Sequence, residues 1–144
     1  MWMDAKYEPG TVKVVAYDKD GKAVAEKEIR TAGKPYHIEL APDRAQIKAD
    51  GKDLSFVTVR VVDKDGNLCP LADNLISFKV KGAGTYRAGA NGNPASLESF
   101  QTPKMKVFNG MMTAIVSSTD KPGKITLEAT GKGLAKGVLE IESK

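Results

Sequence analysis

The chain has 144 residues, 41% of them apolar, with 22 basic and 18 acidic side chains and a formal net charge of +4. That length builds one domain, or one domain plus a fragment of another. The two signs of charge alternate without a basic run carrying interleaved aromatics, no apolar run approaches the ~20 residues of a membrane helix, and a single cysteine, Cys69, rules out a disulfide framework, so nucleic acid and membrane are not expected partners.

In chain order, MWMDAKYEPG lacks the basic and apolar regions of a signal peptide. Thr11 to Tyr17 (TVKVVAY) alternates at period two, with Val12, Val14 and Ala16 on one face. Asp18-Lys19-Asp20-Gly21 turns, and Lys22 to Arg30 returns, which makes a hairpin. Such a unit is marginal alone in water and needs a partner for its apolar face. Trp2 to Arg30 therefore reads as the tail of a preceding β-domain, and residues 1–34, which end in the Thr31 to Pro35 linker, are separated from a second unit over 35–144.

The second unit opens with His37 to Leu40, a turn at Pro42-Asp43, and Gln46 to Ala49. Asp53 to Asn67 is the organising stretch: Ser55, Val57, Val59 and Val61 point one way, Phe56, Thr58, Arg60 and Val62 the other, and DKDGN stops the strand with turn chemistry. Asn74 to Gly82 alternates again through Ile76, Phe78 and Val80. Gly82 to Phe100 is rich in Gly and Asn and is expected to be a long loop, closed by Lys106 to Phe108. Met111 to Ser117, Lys124 to Ala129 and Val138 to Ile141 complete the set. Short strands at regular spacing without a helical segment predict an all-β fold, an immunoglobulin-like β-sandwich preceded by a β-hairpin remnant of an adjacent β-domain.

Chemistry is sparse. The acids concentrate in turns, where an Asp carboxylate bonds its own backbone, and the two DKDG sequences lack the distal Glu of a calcium loop. His37 is the only histidine, which removes two-His metal sites and most triads. Cys69 has no neighbouring base and reads as a structural thiol. No catalytic residue, metal or cofactor is expected from this chain. Most of the aromatic residues fall at strand positions that core packing explains. The long loop is the best contact surface, with Tyr86, Asn91, Asn93, Glu98 and Phe100 as candidates for touching another domain or a sugar.

Two stretches carry a family resemblance: ADGKDLSFVTVRVVDKDGN over 49–67, and the NGNP-x-S-x-E-x-F segment with its downstream FNG over 91–110. Together with YEPGTVKVVAYDKDGKAVAEKEIRTAGKP they resemble the C-terminal β-domains of bacterial family 2 glycoside hydrolases of the β-galactosidase type. The resemblance implies a non-catalytic accessory domain that braces packing around a catalytic barrel, with other domains of the same polypeptide as partners and a periplasmic or secreted parent enzyme. The family's acid/base and nucleophile glutamates lie in that barrel, so neither role falls on a residue here. A carbohydrate-binding module and an adhesin-type spacer repeat are the alternatives.

Overall fold

The computed structural model describes residues 6–144; Trp2 lies outside them. Contacts divide the chain into two compact units, one ending at Ala32 and one spanning Gly33–Lys144.

The first unit is a hairpin of β1 (Thr11–Tyr17) and β2 (Ala23–Arg30), antiparallel with Val12 opposite Ile29 and Val14 opposite Lys27. Asp18 organises its turn, Oδ1 accepting from the backbone N–H groups of Asp20 at 2.9 Å and Lys22 at 2.8 Å. Val12, Val14 and Ile29 share one face and remain 68, 64 and 67% exposed. A two-stranded ribbon by itself buries too little apolar surface to hold its own shape.

The second unit is a sandwich. One sheet has the order β3 (His37–Pro42), β5 (Leu54–Val62), β9 (Met111–Ser118), β7 (Gly84–Ala90). The other has the order β4 (Gln46–Ile47), β11 (Gly137–Ser143), β10 (Gly123–Gly131), β6 (Leu75–Gly82), β8 (Lys104–Lys106). All neighbours are antiparallel except β4 with β11. Alternation puts Val57, Val59, Val61, Ala114 and Val116 inward from the first sheet, and Ile76, Met105, Ile125 and Leu127 inward from the second, all fully buried. Burial of each such side chain contributes roughly 1.5–3 kcal/mol, and the two inner faces form one core.

The structure corrects two expectations. The stretch from Gly82 to Phe100 is not one loop, because its first part is strand β7, paired with β9 from Gly84↔Ser118 to Ala90↔Thr113. Glycine here serves close packing. A Cβ on Gly84 would lie 2.7 Å from Ile125 Cγ2, and one on Gly89 would lie 2.4 Å from the Tyr86 hydroxyl. A bulge between Tyr86 and Ala88 also shifts the register and hides the period of two. The aromatic expectation fails as well: of the described rings, Phe78 and Tyr86 turn into the sandwich, whereas Tyr7, Tyr17, Tyr36, Phe56, Phe100 and Phe108 are 38 to 79% exposed. β-Branched and aliphatic side chains fill the space between the sheets, which leaves little room for rings.

The DKDGN turn after β5 fastens the start of this unit. Asp63 is buried, and its carboxylate accepts from Gly33 N–H at 2.7 Å, Asp65 N–H and Asn67 N–H at 2.9 Å each, and the Asn67 amide. The bond from Gly33, ahead of the others, holds the Asp63 pKa at about 2. Asp53 is likewise held at about 2 by Lys48 N–H, Arg44 and Leu54 N–H. Both folded values lie below the ordinary 3.8, so the stabilisation is fully present above that pH and is lost as pH falls through about 2. Asp63→Asn should therefore lower the melting temperature by several degrees at neutral pH and flatten the acid limb of stability against pH. An unchanged acid limb would show that this carboxylate does not anchor the turn.

Candidate functional site

The segment between β7 and β8, residues 91–103, crosses from the edge of one sheet to the edge of the other. Four of its polar side chains, Asn91, Asn93, Ser96 and Glu98, are spent on its own shape. Asn91 is nearly buried; its Nδ2 donates to Lys106 O at 3.0 Å and its Oδ1 accepts from Asn93 N–H at 3.0 Å. Asn93 repeats the device, Oδ1 accepting from Ala95 N–H at 3.0 Å while its carbonyl accepts from Ser96 N–H at 3.1 Å. Glu98 closes the ring: Oε1 accepts from Lys106 N–H at 3.1 Å, and Oε2 accepts from Ser96 Oγ at 3.3 Å and Asn91 Nδ2 at 3.4 Å. Short Asn and Ser side chains that replace backbone partners are what allow a connection this long to be ordered.

Main-chain bonds anchor the segment at both ends. Gly89 N–H donates to Phe100 O at 2.8 Å, and Phe78 N–H donates to Pro103 O at 2.8 Å. The candidates from the sequence are thus placed differently. Asn91, Asn93 and Glu98 are brought together as a scaffold inside the loop. Tyr86 lies off it, its ring stacked on Phe78 with centroids 5.6 Å apart and its buried hydroxyl without a protein hydrogen-bond partner; burial pushes its pKa up. Phe100 is presented to the outside at 58% exposure. So is Leu97, fully exposed at the loop's tip, which the sequence reading missed. The available signal was its position between two inward-turned polar residues, Ser96 and Glu98.

Elsewhere the surface offers little that resembles a reaction centre. A groove of about 570 Å³ is bounded by Lys52, Thr85, Arg87, Ser117 and Asp120, and another of about 800 Å³ by Gln46, Lys124, Ile141 and Glu142; neither has an aromatic wall. Among the described residues, no group of three or more His, Cys, Asp or Glu is placed to hold a metal ion. His37 packs edge-on against Tyr36, with ring centroids 6.0 Å apart. Cys69 is buried with Sγ 3.7 Å from Gly33 O, and burial followed by the Asp63 charge pushes its pKa up, the opposite of an activated thiolate.

Comparison with known proteins places these features in a family. The family model described as glycoside hydrolase family 2 C-terminal domain 5 matches residues 38–140, and a domain of unknown function (DUF4982) matches residues 1–25. The β-galactosidase BoGH2A of Bacteroides ovatus is 54% identical over 96% of this chain. The chain spans only 16% of that relative's length. A glycosyl hydrolase family 2 member from Bacteroides cellulosilyticus superimposes with a TM-score of 0.89 at 36% identity, over 97% of this chain and 18% of its own. A β-glycosidase from Bacteroides vulgatus does so with a TM-score of 0.90 at 32% identity, over 94% of this chain and 18% of its own.

Proposed function

Because the chain belongs to glycoside hydrolase family 2, as a C-terminal domain of its β-galactosidase-like members, we propose that it is a non-catalytic accessory domain that braces the packing of its parent enzyme around the catalytic barrel. One observation carries the reading. The 91–103 loop spends Asn91, Asn93, Ser96 and Glu98 on holding itself rigid while it holds Leu97 and Phe100 outward. Ordering cost is thereby met before contact, and the loop exposes two large apolar side chains, Leu97 and Phe100, which suits docking against protein. Asp18, Asp43, Asp63 and Glu128, by contrast, are engaged in turns, strand contacts and an ion pair.

The hairpin fits the same setting. Its open face of Val12, Val14 and Ile29 belongs against the missing strands of a preceding β-domain, in line with the separate family match over residues 1–25. In this reading the other domains of one exported polypeptide, periplasmic or secreted, are the partners.

The test is made in the full-length parent polypeptide. Leu97→Ser with Phe100→Ser should lower its melting temperature by several degrees and reduce galactoside turnover only in part, while this chain alone keeps its stability. Normal stability and kinetics in the full-length variant would overturn the brace. A carbohydrate-binding role draws on the exposed Phe100 ring and the neighbouring exposed Gln101, but Asn91 and Glu98 are already engaged. Titration of this chain with galactosides and plant oligosaccharides should therefore give no heat, and a chromogenic galactoside should stay uncleaved. Millimolar binding abolished by Phe100→Ala would move the loop to sugar recognition.

A further inference from the structure

The two outer faces of the sandwich differ in kind. On the five-stranded sheet charge runs through the outward positions: Lys81 meets Glu128 at 2.6 Å, Lys124 meets Glu140 at 3.0 Å, Lys104 and Lys106 flank the inward Met105, and the exposed Val138 and Leu75 stand singly beside Glu128 and Lys106. Water suits that face. On the four-stranded sheet the central outward positions are apolar or small. Register sets Phe56, Ile115 and Ala88 side by side in one row, and Ala41, Thr58, Thr113 and Ala90 in the next. Met111 follows beside Arg60, whose ion pair with Glu39 at 2.9 Å marks the border. Phe56 is 43% and Met111 37% exposed, and charge enters the first two rows only at the ends of the Phe56 row, from Asp43, which exchanges bonds with Phe56, and from Arg87 in the β7 bulge.

We propose that this outer face of the β3-β5-β9-β7 sheet is a second docking surface of the domain, and that its occupant is an apolar face of another folded domain of the same polypeptide. The inference rests on the accessory-domain reading and goes beyond it by naming the face. Alanines on the edge strands keep the surface low, so a second flat layer can approach to sheet-packing distance, about 10 Å. Uncharged centres with a polar border are the anatomy of a contact that excludes water. The occupant follows from length. The chain covers 16% of its 54%-identical relative, so the remaining domains would be tethered to it. Tethering supplies an effective concentration on the order of millimolar, at which a modest apolar patch holds without steering charges. A second copy, free in solution, has no such advantage.

Met111 reports on the face directly, because thioether oxidation follows exposure. Dilute hydrogen peroxide is applied to this 144-residue chain and to the full-length parent polypeptide, and oxidation is read by peptide mass spectrometry. In the chain alone Met111 should oxidise readily, with buried Met105 and Met112 as slow internal references. In the full-length polypeptide Met111 should react about tenfold more slowly. Phe56→Thr with Ile115→Thr, which preserves strand preference, should restore its reactivity there. Equal Met111 rates in the two proteins would overturn the assignment of this face. Protection in the chain alone that disappears on dilution would also overturn it, by making a second copy the occupant. If Met111 is unprotected while the Leu97 and Phe100 variant still weakens the full-length enzyme, the brace stands and only the face is wrong; if neither responds, both fall.

Discussion

Replacing Gly110 by alanine should lower the unfolding free energy by about 3 kcal/mol, far more than a surface-turn substitution ordinarily does. Phe108 to Met111 forms a two-residue hairpin turn, with Phe108 and Met111 exchanging backbone bonds at 2.9 and 3.1 Å. Asn109 sits at φ 52° and Gly110 at φ 75°, the pair of left-handed residues such a turn requires. Positive φ alone would cost roughly 1 kcal/mol. The larger part is steric, since a Cβ on Gly110 would stand 2.3 Å from Cys69 O and 3.2 Å from Leu68 Cδ1. Relief by movement is blocked, because Gly110 N–H donates to Ala72 O at 3.0 Å and its carbonyl accepts from Val61 N–H at 2.8 Å. Shifting the turn would strip a bond from β5. Gly66 is the control: it has φ 82° with nothing within 4 Å of its Cβ position, so Gly66→Ala should show the conformational cost alone. Urea unfolding followed by circular dichroism separates the two. Equal midpoint shifts would show that the Cys69 contact yields easily.

Met105→Ala should cost a comparable amount, about 2–5 kcal/mol, and its consequences should spread to the candidate contact loop. Met105 is fully buried and is the middle residue of β8, a strand held to β6 by three residue pairs. Its side chain fixes the edge strand in the core; Lys104 and Lys106 on either side face solvent. Lys106 supplies both the carbonyl that receives Asn91 Nδ2 and the N–H that reaches Glu98. Loss of the thioether should thus loosen residues 91–103 as well as the core. Hydrogen exchange should speed up at Lys106 and Phe78 before global unfolding. Met105→Leu, which conserves volume, should cost less than about 1.5 kcal/mol and leave the loop protected. Destabilisation without faster exchange in that segment would mean that the loop's own bonds suffice to order it.

The sequence alone carried the strands whose inner faces read cleanly. In β5 and β10, β-branched and aliphatic residues alternate with polar ones, and each inward residue proved buried: Val57, Val59 and Val61, then Ile125, Leu127 and Ala129. Turns at Asp18, Asp43, Asp50 and Asp63 were legible for an equally local reason, since each carboxylate accepts from backbone N–H groups a few residues away or on its neighbouring strand. Family membership was also legible, because the 49–67 and 91–110 segments encode distinctive turns and loops. The strand at Gly84–Ala90 was not. Its glycines answer to Ile125, 41 residues beyond Gly84, and to the Tyr86 hydroxyl, and a bulge breaks its alternation.

The contact loop shows the same division. Asn91, Asn93, Glu98 and Phe100 were picked from composition and position. Only the tertiary structure shows that Asn91 and Glu98 bond inward, because their partner Lys106 is placed by β8 pairing with β6, while Asn93 bonds within the loop. The apolar outer face is further still from any local signal. Phe56 and Ile115 are 59 residues apart, and each looks like an ordinary strand residue until register sets them side by side. Local chemistry, acting over a few residues, determined where the chain turns and which strands have a clean inner face. Which side chains share a surface was decided by strand order and register, which depend on long-range pairing that local sequence does not encode.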